Sequence, residues 1–362
     1  MRRLGQFAAA CALLISAIAP AAAQGALPPG FFGVVPQGRI AAPDLDLMAG
    51  TVGTMRVGVY WPTAEPSPGI RELAGLDELV SAAAARGIRV QPFVYGTPAW
   101  LGPDPVRSPL AASGGAAAWS SFLRALVERY GPLGSLWSQA GSRMPIRAWQ
   151  VWNEPNFPLY WHPRPAPAEY ARLLDVSDKA LAAVDPRARV IAAGVAPVGG
   201  GPRPWRFIQS LLRIPGARAD VDVVALHPYS ASPLGVEYAV RQTRRGMARS
   251  GAGKKPLLIG EIGVASKAEV PTGFDLGLDG QASFLRRSFH LLLENRRRWR
   301  IAGIDWFSWQ DVASWEKQCS FCQYAGLIDR GGRPKPAWAA YRSVVAGAAG
   351  EARLRRRAEP VR

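Results

Sequence analysis

Two segments end in a glutamate that an apolar strand would carry to its tip. In Trp149-Gln150-Val151-Trp152-Asn153-Glu154-Pro155-Asn156 the apolar run is stopped by Pro155, which leaves Glu154 at a rim. Leu257-Leu258-Ile259-Gly260-Glu261-Ile262-Gly263 repeats the arrangement with Glu261, and period-two alternation puts Leu257, Ile259 and Glu261 on one face. Gly260 and Gly263 allow close approach of backbone or ligand. Two facing carboxyl groups are the minimum equipment for breaking a glycosidic bond. One must be protonated to donate to the leaving oxygen, and the other ionised to attack the anomeric carbon or activate water. Like charges held close raise one of the two pKa values, which lets the acid keep its proton near neutral pH.

Such a pair needs a scaffold that aims both carboxyls at one point. Eight apolar runs read as strands: 31–35, 54–61, 88–95, 146–152, 189–194, 221–227, 256–261 and 303–309. Between them lie helical patterns at 71–86, 116–130, 168–184, 205–212, 236–248, 281–297 and 336–345. The clearest is 168–184, where Tyr170, Leu173, Leu174, Leu181 and Val184 fall on one face. Eight strands, most of them followed by a helix, predict an α/β fold, a (β/α)₈ TIM barrel forming one catalytic domain over 24–345. A doubly wound sheet is disfavoured, because no Gly-x-Gly-x-x-Gly turn follows the first strand. In a barrel the chemistry sits at the C-terminal ends of strands. Those ends carry Tyr60-Trp61, Tyr95 to Trp100, Asn153-Glu154, His227-Pro228-Tyr229, Glu261 and Trp309-Gln310-Asp311. Glu154 falls on the fourth strand and Glu261 on the seventh.

The motifs around these positions resemble clan A glycoside hydrolases, and within the clan are most similar to family 39 and its bacterial cellulase-like (family 5-like) relatives. Trp152-Asn153-Glu154-Pro155-Asn156, followed by Tyr160-Trp161, resembles the acid/base motif, and Ile259 to Gly263 the nucleophile motif. Gly96-Thr97-Pro98-Ala99-Trp100 resembles the third-strand loop. Gly326-Leu327-Ile328-Asp329 and Gly332 to Trp338 resemble the stretch after strand eight. The resemblance implies a retaining hydrolase of a poly- or oligosaccharide, with Glu154 as acid/base, Glu261 as nucleophile and no cofactor or metal. It further implies that Asn153 binds the sugar 2-hydroxyl, that Arg56 steadies the nucleophile and that Tyr229, with His227 beside it, hydrogen-bonds the nucleophile. Trp309, preferred over Trp306, is implied as the floor of the sugar subsite. Trp100, with Trp61, Trp161 and Trp315, is a further candidate sugar platform among 13 tryptophans. Two other classes remain: a carbohydrate-binding barrel without catalysis, and a transglycosylase using the same pair. A serine hydrolase is disfavoured by the lack of a Gly-x-Ser-x-Gly elbow.

Composition sets the surroundings. Arg2 and Arg3, the apolar run Phe7 to Ala19 and Ala21-Ala22-Ala23 have the layout of a secretory signal peptide over 1–23, which predicts a secreted or periplasmic protein without a stable membrane span. The formal net charge of +17 raises nucleic acid or an acidic exopolysaccharide as partners. No nucleic-acid-binding motif is present, and many of the arginines fall on helix surfaces and in a basic tail over 346–362, so nucleic acid is not expected. Cys319 and Cys322 form a C-x-x-C pair without a second ligand pair for zinc, and a local disulfide is preferred over free thiols in an oxidising compartment. Oligomeric state is not legible.

Overall fold

The eight apolar runs become strands because their β-branched and aromatic residues pack on both faces of a closed sheet. In the computed structural model, which describes residues 27–138, 140–197, 200–268, 272–313, 319 and 321–358, the strands are β1 (Phe32–Val35), β2 (Thr54–Tyr60), β3 (Arg89–Tyr95), β4 (Ala148–Val151), β5 (Arg189–Val195), β6 (Val223–Leu226), β7 (Leu257–Ile262) and β8 (Ile301–Phe307). Every neighbouring pair is parallel, and β8 pairs back to β1 to close the barrel. The intervening helices are α1 (Ala42–Met48), α2 (Trp61–Ala64), α3 (Ala74–Ala84), α4 (Gly115–Tyr130), α5 (Pro167–Ala182), α6 (Pro204–Arg213), α7 (Pro233–Arg249), α8 (Gly277–Glu294), α9 (Arg296–Trp299) and α10 (Pro336–Ala358). The expected (β/α)₈ barrel is therefore the observed one. Helix α10 runs across residue 345, where the tail was expected to begin. The signal-peptide reading at 1–23 and Trp315 lie outside the described residues. No helix among the described residues is long and apolar enough to cross a membrane.

Helices α5, α6, α7 and α10 open on a proline at their first position, where the missing N–H is no loss and the fixed φ suits the helix. Ser232 caps α7 by accepting from the Gly235 backbone N–H at 3.2 Å. The α5 face carrying Tyr170, Leu173, Leu174 and Leu181 is buried as its spacing requires. Trp119 of α4 packs beside it and donates its indole N–H to Ser177 at 2.8 Å. Leu174→Ala there would leave a cavity costing about 2–5 kcal/mol.

Alternation sorts the strand residues into two cores. Val190, Val224, Leu257, Ile259, Ile304 and Trp306 pack against the helices. Ile191, Val223, Ala225 and Leu258 form a separate cluster, the apolar plug of the barrel interior. Arg56, Gln150 and Asp305 are buried polar residues on the inward-facing alternates of β2, β4 and β8.

Candidate active site

At the end of β4 the chain leaves the strand through two non-glycine residues in the left-handed region, Trp152 at φ 67° and Glu154 at φ 43°. Backbone in this region is costly for side-chain-bearing residues and persists only where surrounding contacts hold it. Those contacts are present. The Gln150 amide donates to the Trp152 carbonyl at 2.9 Å, and the Tyr170 hydroxyl to the Val151 carbonyl at 2.6 Å. The Trp152 indole donates to the Tyr160 carbonyl at 2.6 Å, and Asn156 exchanges hydrogen bonds with the backbone of Ala196 at 2.7 and 3.1 Å. The turn buries Trp152 in the helix-facing core and leaves Asn153 and Glu154 lining a cavity at the barrel mouth.

Glu261 reaches the same cavity by a different device. Strict alternation put it on one face with Leu257 and Ile259, but those two pack outward against the helices while Glu261 lines the cavity. The β7–β8 register slips between Ile259 and Ile262, and this irregularity re-aims the glutamate.

Arg56, with 0% exposure, joins the two strand ends. Its guanidinium donates from Nη1 to Glu261 at 2.6 Å, from Nη2 to Asn153 Oδ1 at 2.8 Å and from Nε to Gln150 at 3.0 Å. Its cationic carbon lies 4.0 Å from the centre of the Phe93 ring, which supports it from one side. The Tyr229 hydroxyl donates to the other Glu261 oxygen at 2.5 Å. His227 Nδ1 lies 2.8 Å from Glu154 and 3.5 Å from Glu261. Its ring has room because position 194 is glycine; a Cβ there would stand 1.8 Å from His227 Nε2.

The electrostatics of the two glutamates differ. Both are buried, at 6% and 7% exposure. Burial raises the Glu154 pKa well above the usual carboxylate range, and the Glu261 charge raises it further, against a lowering by Arg56. Burial also raises Glu261, but Arg56 and the Tyr229 hydroxyl hydrogen-bond its charged form and oppose the rise. The proton of the pair therefore rests on Glu154 and the negative charge on Glu261. Burial, with Arg56 nearby, holds His227 well below its ordinary pKa, so its imidazole is neutral. Tyr229 is raised well above its own range, by burial first and then by the Glu261 and Glu154 charges, and remains a donor.

An oxygen of each glutamate and a nitrogen of His227 all lie within 4.8 Å of one another, a spacing a divalent cation could bridge. The donor set fits such an ion poorly, because the Arg56 guanidinium and the Tyr229 hydroxyl already take one Glu261 oxygen each. The cavity measures about 620 Å³. Its described walls include Phe93, Phe157, Phe274, Phe307, Phe321, Tyr95, Tyr160 and Tyr229, and among the described lining residues the only acidic or basic ones are Glu154 and Glu261.

The structure thus brings together Arg56, Asn153, Glu154, His227, Tyr229 and Glu261. It does not bring the tryptophans. Trp309 is fully buried against Trp338 and donates its indole N–H to Asp44 at 3.0 Å. Trp306 also faces the helices, and Phe307 takes the inward position at the end of β8. Trp100 packs edge-on against Trp61 and donates to the Glu65 carbonyl at 3.0 Å, outside the cavity lining. Trp61 and Trp161 are buried. Cys319 and Cys322 are joined as a disulfide that lines the cavity. Gln150 and Asp305 escaped the sequence reading; the signal for both is a single polar residue inside an apolar strand, Trp149-Gln150-Val151 and Ile304-Asp305-Trp306.

In fold the chain is similar to a family 39 glycoside hydrolase from the gut symbiont Bacteroides cellulosilyticus WH2, at 22% identity over 88% of this chain and 64% of that one, with a TM-score of 0.62. It is similar also to an exo-β-1,4-mannosidase from Opitutaceae bacterium strain TAV5, at 17% identity over 91% and 63% of the two chains and a TM-score of 0.66. A third is GH5_18 from Streptomyces cattleya, solved in complex with GlcNAc, at 18% identity over 90% and 81% with a TM-score of 0.66. The barrel is one shared with glycoside hydrolases of families 39 and 5. This chain spans just under two thirds of the length of the first two proteins. No family model matches the sequence, and none of the curated proteins does.

Proposed function

We propose that the protein is a retaining glycosidase in which Glu154 is the acid/base and Glu261 the nucleophile. The observation that carries this reading is the pair itself: two buried carboxyls at the barrel mouth, an oxygen of each within 4.8 Å, with unequal hydrogen-bond support. Inverting enzymes separate their carboxyls by roughly 6.5–9.5 Å to admit a water, and retaining ones by about 5–5.5 Å. The present spacing favours retention. The fold shared with family 39 and family 5 hydrolases supports a carbohydrate substrate, and neighbours named as an exo-β-1,4-mannosidase and a β-xylosidase point to a β-glycoside.

In the first step the Glu261 carboxylate attacks the anomeric carbon while Glu154 gives its proton to the glycosidic oxygen, and the aglycone leaves as an alcohol. Arg56 and Tyr229 hold the two Glu261 oxygens, which fixes the attacking lone pair and keeps it ionised. Because a guanidinium only donates, Arg56 fixes the Asn153 amide with its oxygen inward, leaving the Nδ2 donors for the sugar 2-hydroxyl. In the second step Glu154, now ionised, removes a proton from water, which displaces Glu261. His227, neutral and in contact with Glu154 at 2.8 Å, accepts a hydrogen bond from the acid form or donates to the carboxylate. The signal-peptide layout and the Cys319–Cys322 disulfide support export from the cytoplasm as part of the same proposal.

A panel of nitrophenyl β-glycosides and oligosaccharides, assayed with wild type, Glu154→Gln and Glu261→Gln, tests the reading. Hydrolysis abolished by both substitutions supports it; hydrolysis that survives both overturns it.

A further inference from the structure

The cavity is unevenly furnished. Most of its hydrogen-bonding side chains cluster on the floor, where Asn153, Glu154, Tyr229 and Glu261 meet over Arg56 with Tyr95 and Tyr160 close by, enough to engage one sugar ring. Beyond the floor the walls are Ile40 from the β1 loop, Phe157 and Leu159 from the loop after Glu154, Phe274 from the β7 loop, and Phe307 and Phe321 from the β8 region. Phe274 and Phe321 stack at 5.0 Å between ring centres, and Phe321 meets Tyr229 edge-on at 5.4 Å, so this wall is a packed aromatic surface beside the Cys319–Cys322 disulfide. Of the polar residues farther out, Gln37 keeps its buried Oε1 without a partner among the described residues, while its amide N–H and the Thr272 hydroxyl are engaged. Gln37 donates to the Cys322 carbonyl at 3.1 Å, and the Thr272 hydroxyl accepts from the Phe274 backbone N–H at 3.2 Å. No lysine, arginine or tryptophan is among the described lining residues.

A second sugar laid against the phenylalanine, isoleucine and leucine walls would bury most of its hydroxyls without partners, and an anionic sugar would find no cation among the described lining residues; both penalise binding. The apolar walls instead reward surface that needs no hydrogen bonds. The positive charge of the chain, which raised an acidic polymer as substrate, does not reach the described lining.

Resting on the proposed Glu154 and Glu261 roles, we infer that the substrate is a neutral glycoside of an apolar alcohol: one sugar ring over the carboxylates, with an alkyl or aromatic aglycone against the phenylalanine walls. The leaving group must lie on the side of the proton donor, and the chain that carries Glu154 continues directly into Phe157 and Leu159. The Phe157 N–H bonds the Glu154 carbonyl at 2.8 Å, which fixes that wall relative to the acid.

Alkyl glycosides isolate the effect, because methanol and octanol are leaving groups of similar basicity. With the sugar chosen from methyl β-glucoside, β-xyloside and β-mannoside, kcat/KM for the n-octyl glycoside below its micellar concentration should exceed that for the methyl glycoside at least tenfold. Phe157→Ser and Phe321→Ser should each pull that ratio toward one. Equal rates for the two chain lengths, or better cleavage of a uronic acid oligosaccharide than of the octyl glycoside, would overturn the inference. Calorimetric binding of n-octyl and methyl 1-thio-β-glycosides to wild type and Glu154→Gln separates this idea from the hydrolase reading. Tenfold tighter octyl binding without hydrolysis would sustain the apolar site and defeat the catalytic proposal, whereas no chain-length preference in binding would defeat the apolar site itself.

Discussion

Arg56→Lys keeps a positive charge in the barrel and removes the planar fork. Arg56 serves three acceptors from three separate nitrogens, at 2.6 Å to Glu261, 2.8 Å to Asn153 and 3.0 Å to Gln150. A lysine ammonium is a compact donor on a shorter reach and can replace the ion pair to Glu261 without spanning to the other two. Each stranded acceptor, buried and without a partner, costs about 1–3 kcal/mol, so the two together cost about 2–6 kcal/mol. For a chain of 362 residues that is a fall in Tm of roughly 3–8 °C. The kinetic effect should be larger in proportion. Asn153 and Glu261 lose their common anchor, and a misplacement on the order of 1 Å can cost about 100-fold in rate. Because charge is conserved, the acidic limb of the pH profile should move little, while Arg56→Met should carry it upward. Thermal unfolding and pH-dependent kcat/KM of both variants measure this directly. A lysine variant with unchanged Tm and activity within a few-fold of wild type would refute the idea that the fork organises the site.

Three further expectations follow from particular contacts. Tyr229→Phe removes a hydroxyl that favours ionised Glu261, so the Glu261 pKa rises and the acidic limb of the activity profile moves to higher pH; an unmoved limb would contradict the assignment. Gly194→Ala drives a Cβ to 1.8 Å from His227 Nε2 and should abolish detectable turnover, whereas Gly75→Ala, with open space around its Cβ in α3, should leave kcat/KM unchanged and raise stability by about 0.4–1 kcal/mol. Asp305 is buried with Oδ2 unpartnered among the described residues, and burial raises its pKa well above the ordinary carboxylate value. The folded state therefore holds this proton where the unfolded state has lost it, and stability declines as pH rises from the ordinary value toward the raised one. Asp305→Asn should match wild type in Tm at acidic pH and surpass it as pH climbs; a constant offset across pH would show that Asp305 does not titrate in that range.

The barrel was legible because its strands are short apolar runs separated by helices with clear faces, and the paired glutamates stood out as the ends of such runs. Edges were read less closely: β4 is only Ala148–Val151, because Trp152 already belongs to the left-handed turn. The facing of Glu261 was misread for a physical reason, since alternation cannot foresee a register slip between Ile259 and Ile262. The tryptophans misled for another. Large aromatics after strands suggested sugar platforms, yet Trp61, Trp161 and Trp309 fill the space between barrel and helices, and the cavity is walled by phenylalanines from two strands and three loops. Phe157, Phe274 and Phe321 carry no motif and no periodicity, so only the fold reveals that they converge. Helix α1 went unread because Ala42–Met48 is short and carries two aspartates, although one of them, Asp44, receives the Trp309 indole.

The central claim is a covalent intermediate on Glu261. Incubation of the protein with a 2,4-dinitrophenyl 2-deoxy-2-fluoro-β-glycoside of the preferred sugar, followed by peptide mass spectrometry, tests it most directly. Stoichiometric loss of activity and a single fluoroglycosyl adduct on Glu261 are expected, with no adduct in Glu261→Gln. An adduct on another carboxylate, or steady turnover by an inverting route with no adduct, would contradict it.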